Sequence, residues 1–193
     1  MQNSIKWLTM DDLNDVKTLA EASYANPKET YPVALQPDGR MFELFLVDEK
    51  EGGSQWRKTL GVYDAANRLI MVAGIRRMGH QPVWLLSYVL SSQKNIRMVK
   101  TFRDMIVYLC DYHESIGFNE FAVASPAGRE ESYRKIMRFL RERYITWVEC
   151  VIPAGERSVW PSYHSMLGYA IHTYDVQLRR YIKRRERMEP DEE

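Results

Sequence analysis

The chain is short of cysteine, of glycine where a phosphate loop would want it, and of any long apolar run, and neither sign of charge dominates. Two cysteines and four histidines among 193 residues leave no room for a disulfide framework or a multi-ligand metal site. Cys110 and Cys150 fall inside a helical and a strand-like pattern, so both are expected to be reduced core residues. His80, His113 and His172 stand apart from acids at ligand spacing. No stretch is apolar for long enough to cross a bilayer, so no membrane association is expected. The opening Met1 to Trp7 lacks the features of a secretory leader. An intracellular protein is therefore expected, cytoplasmic or assembled inside a cell. A net charge of +1 gives no global pull toward nucleic acid. Ser125-Pro126-Ala127-Gly128 and Ile152-Pro153-Ala154-Gly155-Glu156 both lack the Gly-Lys-Ser/Thr of a nucleotide-binding loop. No nucleophile elbow, zinc pattern or dinucleotide fingerprint is present.

What is present can build a core. Hydrophobic residues make up 45% of the chain and aromatics 12%, and the length suits one domain. Ser4-Ile5-Lys6-Trp7-Leu8 alternates as a short strand. Thr9, with Asp12 three residues on, forms a capping-box pair ahead of Leu13, Val16, Leu19, Ala20 and Tyr24 at helical spacing. Asn26-Pro27 and Tyr31-Pro32 interrupt regular structure. Met41 to Val47 fits either a helical turn or a strand, and Glu51 to Ser54 a loop. Leu60 to Tyr63 and Leu69 to Arg76 read as a hairpin across Asp64-Ala65-Ala66-Asn67. After a turn at Gly79 to Pro82, Val83 to Leu90 is apolar on both faces, as a central strand would be. Met98, Phe102, Met105, Ile106, Leu109, His113 and Ile116 then share one helical face that Gly117 ends. Phe118 to Ala124 follows as a strand, with Ser125-Pro126 suited to cap a further helix carrying Tyr133, Ile136, Met137, Leu140 and Tyr144. Ile145 to Ile152, a helix near Trp160 to Leu167, and a long strand or hairpin from Tyr169 to Ile182 complete the pattern. The fold class is α/β of the α+β kind: a mixed, mostly antiparallel central sheet flanked by helices, one domain over 1–182 with a charged tail over 183–193.

One segment carries more than patterning. Val148-Glu149-Cys150-Val151-Ile152, a loop, and Ser162-Tyr163-His164-Ser165-Met166-Leu167-Gly168-Tyr169 resemble the end of the GNAT superfamily of N-acetyltransferases. There a strand runs into a helix that ends in an aromatic, three residues, glycine and an aromatic. His164 takes the aromatic position, Gly168 the glycine and Tyr169 the closing aromatic. The capped opening helix is similar to the way such domains begin. In this register the Phe118–Tyr144 strand-helix pair is an addition, an insertion at about 118–144. A competing register makes Phe118–Ala124 the fifth strand and Ala127–Arg143 the helix after it. Only the first uses the signature at Tyr163–Tyr169.

The resemblance implies a site. Its enzymes carry Arg or Gln, two residues, Gly, one residue, and Gly or Ala after the central strand, cradling the pyrophosphate of acetyl-CoA at a helix N-terminus. Here the stretch is Ser91-Ser92-Gln93-Lys94-Asn95-Ile96-Arg97-Met98-Val99. Either register puts side chains on the glycine positions: Ile96 and Met98, or Arg97 and Val99. A β-branched residue at positive φ is an outlier, so the usual cradle is not expected to form. Gln93, Lys94, Asn95, Arg97 and Met98 are the cofactor-binding candidates that remain. Glu149 is the candidate base, because Val83–Leu90 holds no carboxylate. His164, or Tyr163 beside it, is the candidate general acid that would protonate a thiolate. The missing glycines and carboxylate favour a protein without bound acetyl-CoA, acting as a binding or structural component. An acetyl-CoA-dependent N-acetyltransferase with an atypical loop is the alternative. The layout is also similar to the acetyltransferase-like virion proteins of short-tailed phages, which would make the chain virion-associated. A protein partner or self-association is expected, with Trp56, Trp147 and Trp160 as candidate anchors. Arg179, Arg180, Lys183, Arg184, Arg185 and Arg187 form a basic run able to meet nucleic acid, offset by Glu189, Asp191, Glu192 and Glu193.

Overall fold

A computed structural model describes residues 3–24, 41–46, 57–77, 83–93, 95–126, 138, 140, 143–153 and 176–184. The elements are β1 (Ser4–Trp7), a 3-10 turn (Met10–Asp12), α1 (Leu13–Tyr24), α2 (Met41–Phe45), β2 (Arg57–Tyr63), β3 (Leu69–Arg77) and β4 (Val83–Ser91). They continue with α3 (Asn95–Ser115), β5 (Glu120–Pro126), β6 (Tyr144–Ile152) and β7 (Val176–Lys183). Local signals account for most of their limits. The capping box forms: Asp12 Oδ2 accepts from the Thr9 N–H at 2.9 Å while Thr9 caps the first turn. In the β2–β3 turn, Asp64 accepts from the N–H groups of Ala66 and Arg68, and Asn67 takes the left-handed conformation at φ 56°. α3 ends in a Schellman motif, with Phe118 N–H donating to His113 O, Gly117 N–H to Glu114 O, and Gly117 at φ 80°.

The seven strands run in the order β1-β2-β3-β4-β5-β7-β6. All pairs are antiparallel except β4–β5. This is the mixed, mostly antiparallel sheet expected, and β4 is its middle strand. The α1–α2 layer covers one face, over Leu8, Tyr63, Val72, Val83, Leu85, Tyr88 and Leu90. α3 covers the other, packing Phe102, Met105, Ile106 and Leu109 on Met71, Ile75, Trp84, Leu86 and Phe121.

The order of the C-terminal half differs from the first register. The strand of the 118–144 segment is no appendage: β5 is hydrogen-bonded between β4 and β7. It is the fifth strand, as the competing register had it. Ser125 and Pro126 are the last residues of β5, in register with Gln177 and Val176, and most of the helix expected after them, residues 127–137, lies outside the described set. Tyr144 begins β6 rather than ending a helix, because its buried ring packs edge-on against Phe121. The first part of the basic run is built into the sheet. Arg179 and Arg180 are buried in β7, Arg180 pairs with Glu120, and Lys183 Nζ lies 2.8 Å from Glu114 Oε2. Residues 185–193 lie outside the described set.

A bulge shapes the middle of the sheet. Gly74 is in register with Tyr88 and Ile75 with Leu86, so Ser87 is an extra residue on β4. Side chains alternate along a strand, and the extra residue resets the alternation. Val83 and Leu85 face α1–α2, and so do Tyr88 and Leu90 beyond the bulge. The Tyr88 ring then lies flat on Gly74, where a Cβ would come within 2.0 Å of its Cε1. Gly74→Ala should therefore cost at least ~2 kcal/mol in urea unfolding, and much less in a Tyr88→Ala background, since the clash belongs to that ring.

His113 sits between α3 and the sheet. Its ring stacks on Trp84 at 5.8 Å between centroids, and neither ring nitrogen has a hydrogen-bond partner among the described residues. Burial pushes its pKa down to about 4 from an ordinary 6.5. The folded state thus keeps it neutral while the unfolded chain takes up a proton below pH 6.5. Its contribution is intact above that value and is lost as pH falls toward 4. Between pH 7 and pH 5 the loss should be about 2 kcal/mol, absent in His113→Leu, when unfolding curves are compared at the two pH values.

Candidate functional site

β4 and β5 run side by side only from Val83–Glu120 to Leu86–Val123. Past that point β4 continues to Ser91 along β3, and β5 continues to Pro126 along β7. No ladder joins Ser87–Ser91 to Ala124–Pro126, so the sheet opens into a wedge at its centre. Backbone N–H and C=O groups are obligatory hydrogen-bonding groups. A wedge of this kind is suited to an extended ligand that carries amides. The bulge lies at its apex.

The α1–α2 wall is fixed by a buried relay. Thr59 Oγ1 donates to the Phe45 carbonyl at 3.1 Å, and with that proton committed Tyr88 Oη donates to Thr59 Oγ1 at 3.0 Å. Phe42 and Phe45 meet the Tyr88 ring edge-on at 5.8 and 5.3 Å. Burial holds the Tyr88 phenol well above its usual range. Tyr88 is thus a neutral structural donor, not an acid poised for proton transfer.

At the wide end of the wedge, β4 passes through Ser92 and Gln93 into α3. Ser91 Oγ accepts from the Gln93 N–H at 3.0 Å, and Thr101, one helical turn and more inward, donates to Gln93 Oε1 at 2.7 Å. That oxygen is occupied. Asn95 is the first residue of α3, and Lys94 lies outside the described residues. From Asn95 onward the backbone is regular helix, and among the described residues only Asn67 and Gly117 have positive φ. The expected strain at the glycine positions is therefore absent, because those positions belong to the first turn of a helix. What remains is steric. Ile96 is 82% exposed and Val99 40%, and Arg97 is exposed beside them. Met98 turns inward and packs on the α3 side of the core. A helix start has N–H groups without intrahelical partners, and here that turn is crowded by side chains rather than bare backbone.

A cleft of about 1110 Å³ runs from this helix start to α1 and the β2–β3 turn. Arg97, Arg68, Asp64 and Asp15 give its rim both signs of charge. Arg68 and Asp64 already pair at 2.7 Å.

Of the catalytic candidates, Glu149 alone falls among the described residues. Glu149 lies on β6, in register with Arg179, at the sheet edge and three strands from β4. At strand spacing that is about 14 Å from β4 and about 10 Å from β5, the nearer wall of the wedge. The strand beside β4 does hold a carboxylate, Glu120, but at its far end and bonded to Arg180. Tyr163 and His164 lie outside the described residues. No group of three metal-ligating side chains occurs among the described residues, and no described helix is long and apolar enough to cross a membrane.

A second polar cluster escaped the sequence reading. Glu114 accepts from Arg143 at 2.7 Å, Tyr144 at 2.9 Å and Lys183 at 2.8 Å, and Arg143 also reaches Asp111. Burial alone would raise the Glu114 carboxyl, but those three donors bring it below its ordinary value. The cluster clamps β6 and β7 to α3. Only the three-residue spacing of Asp111 and Glu114 on one helix hinted at it, and the partners are some thirty and seventy residues away.

Neither a family model nor a curated protein sequence matches the chain. Solved structures do, over nearly its whole length. It is similar to an N-acetyltransferase from Staphylococcus aureus Mu50, at 12% identity and TM-score 0.64, covering 94% of this chain and 98% of that one. The ribosomal-protein-S18-alanine N-acetyltransferase of Escherichia coli matches at 10% identity and TM-score 0.59, covering 98% and 99%. The spermidine/spermine N-acetyltransferase SpeG of Vibrio cholerae matches at 16% identity and TM-score 0.57, covering 94% and 95%. The chain has the GNAT fold. Thr59→Val, which strands the Tyr88 hydroxyl and the Phe45 carbonyl behind the wedge, should cost about 2 kcal/mol in urea unfolding, against about 1 kcal/mol for Tyr88→Phe.

Proposed function

We propose that this GNAT-fold chain has lost productive acetyl-CoA binding and serves as a binding or structural component, in keeping with its layout likeness to virion proteins of short-tailed phages. The observation that carries the reading is the start of α3. Ile96, Arg97 and Val99 project where a diphosphate would need open backbone, and Gln93 is tied to Thr101. The absence of a carboxylate from β4, and the edge position of the strand bearing Glu149, support it further.

One observation favours a second reading, an acetyl-CoA-dependent N-acetyltransferase with an atypical loop. The wedge between β4 and β5, with the bulge at Ser87, has the shape that the extended arm of the coenzyme would use, and no ladder closes it among the described residues. With Gln93 held, Lys94 and Arg97 would attract the phosphates. In that reading β5 also redirects the search for the general acid. The chain after β5 carries Tyr133 four residues before Met137, so the aromatic of the signature is there but its glycine is not. His164 and Tyr163 follow β6 instead.

Melting curves decide between the two. Millimolar acetyl-CoA should leave the melting temperature unchanged, whereas a ligand at a hundred times its Kd adds about 2.7 kcal/mol. A clear rise that Lys94→Ala/Arg97→Ala removes would establish the second reading. Turnover would then assign the acid: the assignment to His164 requires His164→Phe to cost more than Tyr163→Phe or Tyr133→Phe.

A further inference from the structure

We propose that the chain assembles head to tail, the basic, apolar-studded face of α3 in one copy seating on the acidic shoulder of α1 and α2 in the next. α3 covers one face of the sheet, and its outer side has no partner among the described residues. Ile96, Val99, Arg103 and Val107 recur at three- and four-residue steps and form one stripe, with Lys100 next to it. Ile96 is 82% exposed, Val99 40% and Val107 36%. Arg97, Lys100 and Arg103 are exposed along the same two turns, opposed only by Asp104. Apolar residues of this size, left in solvent on a positively charged helix, mark an interaction surface more often than a solvated face.

The opposite face of the sheet presents the complement. On α1 and the turn before it, Asp11, Asp15 and Glu21 are exposed, with Glu43 on α2 beside them. Lys17 offsets Glu43 only at 3.6 Å. Met10 is 44% and Leu44 52% exposed among these acids. The two patches are opposite in sign, and each carries exposed apolar residues, Ile96, Val99 and Val107 on one and Met10 and Leu44 on the other. Arg97 and Asp15 share the rim of the cleft at the start of α3, but Lys100, Arg103 and Val107 lie on the α3 side of the sheet and Glu21, Glu43 and Leu44 on the α1–α2 side, so a single copy cannot join those two groups. A contact between two different surfaces is heterologous, and it propagates into a ring or a filament instead of stopping at a dimer. Charge supplies orientation, and the buried Ile96, Val99 and Leu44 supply the apolar part. The inference goes beyond the reading above and stands whether or not coenzyme binds.

Sedimentation and light scattering on the full chain test it, at low and high salt. Oligomers larger than a dimer are expected, shrinking as salt screens the charges. Lys100→Glu/Arg103→Glu should be monomeric, and so should Glu21→Lys/Glu43→Lys. In an equimolar mixture of the two reversed variants each α3 face meets an α1–α2 face of opposite sign on the other variant, so alternating oligomers should form although neither variant assembles alone. A chain carrying all four changes regains complementarity in reverse and should assemble again, which a misfolded variant would not do. A wild-type chain that stays monomeric, a dimer that is the end point, or oligomers that survive either reversal would overturn the proposal. So would a monomer that instead binds a DNA duplex through Lys100 and Arg103. Acetyl-CoA melting curves on the same preparations read the functional proposal separately, so each can fail without the other.

Discussion

The close approach of Tyr88 to Gly74 governs the rest of the architecture. A ring can lie on a strand only where that strand has no Cβ, and only if the ring's own strand turns it to the correct face. The extra residue at Ser87 provides the turn. Once Tyr88 is on the α1–α2 side, its hydroxyl reaches Thr59, and Thr59 reaches the last carbonyl of α2. A five-residue helix could not hold its position by propensity. It is held by this relay and by two aromatic edges. The same bulge lies where β4 parts from β5, so the residue that organises one face of the core also sits at the apex of the central wedge.

The wedge and the helix start pull the functional reading in different directions. The wedge is an architectural property: it follows from strand lengths and from where a ladder ends. The helix start is a property of side chains. A fold tolerates many substitutions that its chemistry does not, because packing needs the interior faces of β4 and α3 while ligand approach needs the exterior of one turn. Ile96, Val99 and Arg97 are on that exterior. Met98, in the same turn, faces inward and packs as the fold requires. Selection for the scaffold without selection for the coenzyme would leave this division.

Short-range features were legible in the sequence. Thr9 with Asp12, the Asp64–Arg68 turn, and Gly117 behind the apolar stripe of α3 all work within a few residues. β4 was recognisable as central because both its faces are apolar. The order of the last three strands was not legible. Glu120 to Pro126, Tyr144 to Ile152 and Val176 to Lys183 are each plausible neighbours of β4. What selects among them is pairing across some sixty residues, with Phe121 stacked on Tyr181 and Glu120 bound to Arg180. Taking Ile145 to Ile152 for the fifth strand is what sets Glu149 beside β4, whereas the structure puts β5 and β7 between them. The bulge was equally hidden, since the pattern Leu86-Ser87-Tyr88 reads as ordinary alternation until Gly74 is seen beneath the ring.

β7 enters the sheet between two strands that precede it in the chain. β5 and β6 are not paired with each other: β5 has its ladder with β4, but its other edge, and β6 altogether, are paired only when residues 176–183 arrive. During synthesis the half made of β1 to β4, with its helices, can close early through hairpins and local contacts. The other half must wait for the final insertion, with two open edges exposed meanwhile. A ribosome that pauses before residue 176 would hold a half-built sheet, and a chaperone would find its client there.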